Sequence, residues 1–269
     1  MTAKRKAHRV PKSSREWVEH FYANERPEAL PQEGPRLSEA ERDAVVASVQ
    51  EFQLGESSEG RHLHWLATEY ARQTGDEDYL RATEYFIREE QRHAGYLRDF
   101  LALEGFGTVK RRWADTVFRR LRNLAGLEVC VGVLLTAEII AKVYYAGLKG
   151  ATRSPALRAI CGRILRDEEA HVRFQSERLA ILRHGRPEVG RKLTGFLHRT
   201  LFFGACLVVW RNHGKVVRRG GLDFRSYWRR CWEEFEAAAE MMDPESYALS
   251  AHGQGSLSPR RVSNDGPDL

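Results

Sequence analysis

The hexapeptides Arg88-Glu89-Glu90-Gln91-Arg92-His93 and Arg166-Asp167-Glu168-Glu169-Ala170-His171 carry one pattern twice, an acid followed by Glu-x-x-His. Residues three apart share a helical face, so on a helix each motif projects a carboxylate and an imidazole to the same side. A single Glu-x-x-His is a common by-product of charged helices. A matched pair on two long helices is a far rarer constellation, and the order of the surrounding helices decides whether the two can meet.

Outward from these motifs, apolar residues recur at helical spacing from about Ser38 to Met242, and no stretch alternates long enough to form a sheet, which predicts an all-α fold. Ser38 with Glu41 forms a capping box that opens a first long helix, closed near Gly75. Asp76 caps a second helix, containing Glu90 and His93, that runs to about Gly105. A third runs from about Gly126 to Leu148. Ser154-Pro155 starts a fourth, which carries Glu168 and His171 to His184-Gly185. Helices 1 and 2, and 3 and 4, are joined by short turns. The join between helices 2 and 3 takes some twenty residues and includes the basic stretch Lys110–Arg122. Two antiparallel hairpins with one long crossover predict a four-helix bundle over residues 37–185. Two further helices within 186–243 add to it. Residues 1–36 and 244–269, rich in Pro, Gly, Ser and charge, are expected to be mobile tails.

The 269 residues carry 43 Lys+Arg against 37 Asp+Glu, a net charge of +6, with 42% hydrophobic residues. This balance excludes wholesale disorder and provides a substantial core. The longest apolar run, Thr200 to Trp210, is too short to span a bilayer, and Met1-Thr2-Ala3-Lys4-Arg5-Lys6 precedes no apolar stretch of a secretory signal. Cys130, Cys161, Cys206 and Cys231 are widely spaced in apolar segments and read as reduced core thiols. A cytoplasmic location is the expectation.

Two more carboxylates stand where a solvated face is not expected. Glu138 sits in Val131-Gly132-Val133-Leu134-Leu135-Thr136-Ala137-Glu138-Ile139-Ile140-Ala141, apolar almost all round. An unpaired charge there costs several kcal/mol, and a cation is the obvious compensation. Glu138 and Glu168 lie 12 and 13 residues from the turn between their helices, hence at one level. On the first helix, Val45, Val49, Phe52, Glu56, Leu63, Ala67 and Tyr70 trace one face, with Glu56 on the core stripe and Glu59 close to it. His62 and His64 point to different faces and read as ordinary helix residues. Lys142, one turn after Glu138, is expected to lay its stem along the apolar face and reach water.

One acid on helices 1 and 3 with Glu-x-x-His on helices 2 and 4 resembles the ferritin-like di-iron carboxylate superfamily. Leu54-Gly55-Glu56-Ser57 is similar to the first helix of rubrerythrins, and Glu89-Glu90-Gln91-Arg92-His93-Ala94-Gly95 to the corresponding helix of acyl carrier protein desaturases. The resemblance covers about residues 38–184. It implies that Glu90 and Glu168 bridge two metal ions, with Glu56 and His93 completing one site and Glu138 and His171 the other. It also implies that Asp167 orients His93, and Glu89 orients His171, from across the bundle. Carboxylates with two imidazoles suit iron, manganese or a mixed pair.

The resemblance further implies dioxygen-dependent hydroxylation or desaturation of a small or carrier-bound organic substrate, with an electron donor. The alternatives are ferroxidase or iron handling, peroxide removal as in manganese catalases, or a metal-free interaction module. No Cys-x-x-Cys iron domain of a rubrerythrin is present, and Ile164 stands where the superfamily's N-oxygenases place a further His. Lys110-Arg111-Arg112, Arg119-Arg120-Arg122 and Arg218-Arg219 offer a surface for an acidic carrier protein or tRNA. The aromatic residues of the last two helices, among them Phe202, Phe203, Trp210, Trp228 and Trp232, could form a pocket wall, a homodimer face or simple core.

Overall fold

The computed structural model describes residues 12–26, 36–57, 60–110 and 126–252, and these are all-helical, with no strand among them. The helices are α1 (Ser14–Ala23), α2 (Glu39–Glu56), α3 (Arg61–Thr74), α4 (Glu77–Leu103), α5 (Leu127–Ala151), α6 (Pro155–Arg183), α7 (Glu188–Arg219), α8 (Phe224–Met242) and α9 (Pro244–His252). Their starts follow local chemistry. Ser38 and Glu41 close a capping box on α2, Asp76 accepts from the Tyr79 N–H to cap α4, and Ser154 with Pro155 opens α6. Glu41 also accepts from the Arg153 N–H at 2.7 Å, which ties the α5–α6 turn to the start of α2.

α2 packs on α4, α5 packs most extensively on α6, α4 meets α6, and α2 touches α5. These four helices therefore close around a shared interior. α7 lies along α5 and α2, and α8 covers α6 and α5. The end of α7 comes so near α5 that a Cβ on Gly220 would stand 2.0 Å from the Gly147 carbonyl oxygen, so only glycine permits this approach. Cys130, Cys161, Cys206 and Cys231 are all free and buried. Among the described residues, the helices Leu127–Ala151 and Glu188–Arg219 are long and apolar enough to cross a membrane by length and composition; two thirds of the apolar stretch in the first is buried in the core.

Three expectations are corrected. The single helix expected over 38–75 is two, because Gly60 takes a left-handed backbone (φ 63°) against the Ile87 side chain, where any Cβ would collide at 2.7 Å. Residues 14–23 of the expected N-terminal tail form α1, docked on α4. Its Trp17 and Phe21 are 3% and 1% exposed, packed edge-on against Phe174, and Trp17 Nε1 donates to Glu177 Oε2 at 2.9 Å. A short run holding Trp, Val and Phe can pack as a helix without showing extended periodicity. Residues 244–252 of the expected C-terminal tail form α9, which packs on α8 and α6. Residues 1–11, 27–35 and 253–269 of the expected tails, Glu59 and the basic stretch from 111 to 122 lie outside the described residues.

Because Trp17 fills core volume and also satisfies the buried Glu177 carboxylate, Trp17→Ala is expected to destabilise the fold by about 3–5 kcal/mol. Urea unfolding should show a lower midpoint with an unchanged slope. A midpoint equal to wild type would mean that α1 is not part of the folded core.

Candidate metal centre

Glu90 and His93 on α4 face Glu168 and His171 on α6, and one ligand atom from each lies within 4.8 Å of all the others. Glu90 Oε1 is 3.1 Å from His171 Nδ1 and 3.5 Å from His93 Nδ1. Glu168 lies 3.9 Å from His93 Nδ1 and 3.7 Å from His171 Nδ1. Glu138, from α5, reaches to 3.8 Å of His171 Nδ1, and its Oε1 accepts from Gln175 Nε2 at 3.2 Å. Glu56, the last residue of α2, accepts a 2.6 Å hydrogen bond from the Tyr145 hydroxyl, and its charge is felt by Glu90 and His93. The helix dipole disfavours a carboxylate at that end, so Tyr145 supplies a donor the helix does not.

The imidazoles have defined roles for their two nitrogens. His93 Nε2 donates to Asp167 Oδ2 at 3.0 Å, and His171 Nε2 donates to Glu89 Oε2 at 3.1 Å. Each bond crosses between α4 and α6 and turns the Nδ1 edge inward. Asn24, just beyond α1, donates its amide to both Glu89 and Asp167. Arg163 donates to Asp167 at 2.9 Å and to the Asn24 side chain at 2.7 Å, while Arg92 donates to Glu89 at 2.7 Å. The two outer acids are thus compensated by two guanidinium groups.

The inner groups are not satisfied in this way. Glu90 Oε1, both Glu168 oxygens and the Nδ1 atoms of His93 and His171 are buried without a hydrogen-bond partner. Burial and the adjacent Glu138 push the Glu168 carboxyl well above the usual range, and burial with Glu90 does the same to Glu56. Burial opposes charge on His93, yet Asp167 and Glu90 lift it to about 9. Against the same burial penalty, His171 and His93 hold the Glu90 carboxyl below its ordinary value. Five orphaned atoms, three carboxylate oxygens and two imidazole nitrogens, converge on one volume, and this donor set fits a hard or borderline divalent cation such as iron or manganese. Phe86 stands edge-on to the His171 ring at 4.8 Å, with Phe21 at 6.0 Å, and these rings keep that side dry.

The structure brings Glu90, His93, Glu168 and His171 into one cluster, sets Glu138 against it and places Glu56 at its border. His62 stacks on Trp65 and His64 pairs with Glu84 at 3.0 Å, both away from it. Lys142 does not end in water: Nζ donates to Glu169 at 2.7 Å and to Glu234. Tyr145, Gln175, Asn24, Arg163 and Arg92 were not singled out from the sequence. Tyr145 lies seven residues after Glu138, and Gln175 seven after Glu168, so both share a ligand face and could have been found by extending the period. Asn24 gives no such signal. No protein-family model, curated protein or solved structure matches this chain.

Asp167→Asn and Glu89→Gln remove the charge behind each imidazole while keeping its shape, and are expected to weaken metal binding by about 10–100-fold. Competition with a chromogenic chelator measures this directly. Glu168→Ala and His171→Ala should abolish binding, whereas His62→Ala should leave it unchanged; equal binding by all variants would place the metal elsewhere.

Proposed function

We propose that this chain is a ferritin-like di-iron oxidoreductase that uses dioxygen to hydroxylate or desaturate an organic substrate. The observation that carries this reading is the convergence of orphaned inward atoms of Glu90, His93, Glu168 and His171, bordered by Glu138 and Glu56. The paired packing of α2 with α4 and α5 with α6, with the long join between α4 and α5, supports the ferritin-like topology. In this reading Glu90, His93, Glu168 and His171, with Glu138 and Glu56 beside them, would hold the two ions. Iron held by these residues would supply two electrons for dioxygen reduction, with an external electron donor restoring it between turnovers.

The chain's own groups do the rest. Asp167 and Glu89 keep the protons of His93 and His171 on Nε2, so that Nδ1 presents a lone pair inward. Tyr145 holds its hydroxyl proton against Glu56 Oε1, and Gln175 fixes Glu138 by its Oε1. Phe21 and Phe86 exclude water from the His171 side, which suits an oxidising site that must be protected from solvent. Fixing these carboxylates from outside leaves their inward oxygens available for a change of coordination.

Anaerobic ferrous titration followed by exposure to dioxygen tests the proposal. Uptake is expected to stop near about two ions per chain, and the loaded protein should consume dioxygen in one burst. Mineralisation of many irons per chain would overturn it in favour of storage. Rapid peroxide disproportionation by a manganese-loaded form would favour a catalase, and no uptake at all would leave a metal-free bundle.

A further inference from the structure

The 32-residue helix α7 leaves its longest apolar face bare: only 22% of its most apolar stretch is buried. Val189, Leu193, Phe196, Leu197, Phe203 and Leu207 are 80, 57, 66, 56, 49 and 41% exposed. Val189, Leu193, Phe196, Thr200, Phe203, Leu207 and Trp210 alternate spacings of four and three, the repeat by which one helix packs along another. With aromatic side chains covering ~150–250 Å² each, the six bare residues expose on the order of 600 Å². That is the upper end of what a monomer leaves uncovered, and most of the roughly 800 Å² that each partner contributes to a stable interface.

The face is also symmetric about its own midpoint. Leu193 and Leu207 stand seven residues either side of Thr200, Phe196 and Gly204 four, and Leu197 and Phe203 three. Gly204 is exposed, and a Cβ there would meet nothing within 4 Å, so nothing inside the chain requires a glycine that costs its helix about 1 kcal/mol relative to alanine. A protruding Phe196 of a second molecule fits that bare position. At the ends, Glu188 and Arg211 lie twelve and eleven residues from the midpoint with opposite charge, both exposed.

We infer that α7 forms an antiparallel, two-fold symmetric contact with α7 of a second copy of this chain, crossing at Thr200. In it each Phe196 seats on the other copy's Gly204, Leu193 meets Leu207, and Glu188 pairs with Arg211 at both ends. An isologous contact uses one patch twice, as this symmetry requires. Thr200 at the centre of the stripe, with the exposed Arg199 on its flank, makes it a poor face for burial in lipid acyl chains. Arg199 faces its own copy next to the axis and opposes the contact.

Sedimentation equilibrium of the full chain tests this. Wild type is expected to be dimeric at tens of micromolar, and Phe196→Asp monomeric. Arg211→Glu should weaken association at least tenfold, the double variant Glu188→Arg/Arg211→Glu should restore it, and Arg199→Gln should tighten it. Because the four native cysteines are buried, oxidation of Thr200→Cys should give a covalent dimer. Val189→Cys should not, since its two copies would stand about 33 Å apart. A wild-type monomer throughout, crosslinking at 189 but not 200, or failure of the charge swap would overturn the proposal. Flotation of a monomer with vesicles of three parts phosphatidylcholine to one part phosphatidylglycerol would assign the face to lipid instead.

Discussion

Carboxylates cannot be carried into an apolar interior without compensation, and this chain brings Glu56, Glu138 and Glu168 there, with Glu90 at its edge. Each uncompensated charge would cost several kcal/mol, comparable with the net stability of a whole domain. The fold responds in two layers. The outer acids Glu89 and Asp167 receive imidazole N–H groups, an amide and two guanidinium groups. The inner oxygens face one another and the two Nδ1 atoms, and burial with the adjacent Glu138 raises the proton affinity of Glu168, while the neighbouring carboxylates raise that of His171 against the burial penalty. Divalent cations bound among them would compete with protons for these groups and give the orphaned atoms a partner.

Several features far from the centre serve this arrangement. α1 closes it by delivering Asn24 to the two outer acids and Phe21 to the His171 ring. Its own anchor is Trp17, held between Phe174 and Glu177 on α6, one and two turns beyond His171. Arg178, stacked 3.6 Å over Tyr79 and bonded to Asp76, joins the start of α4 to the distal half of α6. The two motif-bearing helices are thereby fixed in register, so Glu90 and Glu168 stay level. Arg218 and Arg219, which the sequence offers as surface charge, are partly engaged within the chain. Arg218 lies over the Trp210 ring, and Arg219 donates to the Ala151 carbonyl at the end of α5.

The outer helix α7 has the opposite economy. One side is pinned to α5 through glycine contacts and by His213, which bonds Ser48 in α2. The other side carries Leu and Phe largely into solvent, with Phe203 half covered by Trp228 of α8. Burying that side in a self-complementary contact would give the added helices a use apart from the Glu/His cluster.

Local sequence determined the helix starts at Ser38, Asp76 and Ser154, since capping is a property of a few adjacent residues. It also determined which residues could converge: a three-residue spacing fixes Glu90 with His93 and Glu168 with His171 on common faces, whatever the surroundings. The turn lengths made their shared level legible. What the tertiary structure alone decided involves residues distant in the chain. The helix breaks at the left-handed Gly60, and only glycine fits there because Ile87, on another helix, occupies the space a side chain would need. Asn24 becomes the link between Glu89 and Asp167 only because Trp17 and Phe21 find a cavity beside α4 and α6. Neither pairing has a periodic trace, because long-range contacts are set by the shape of the assembled core and not by the spacing of residues along any one helix.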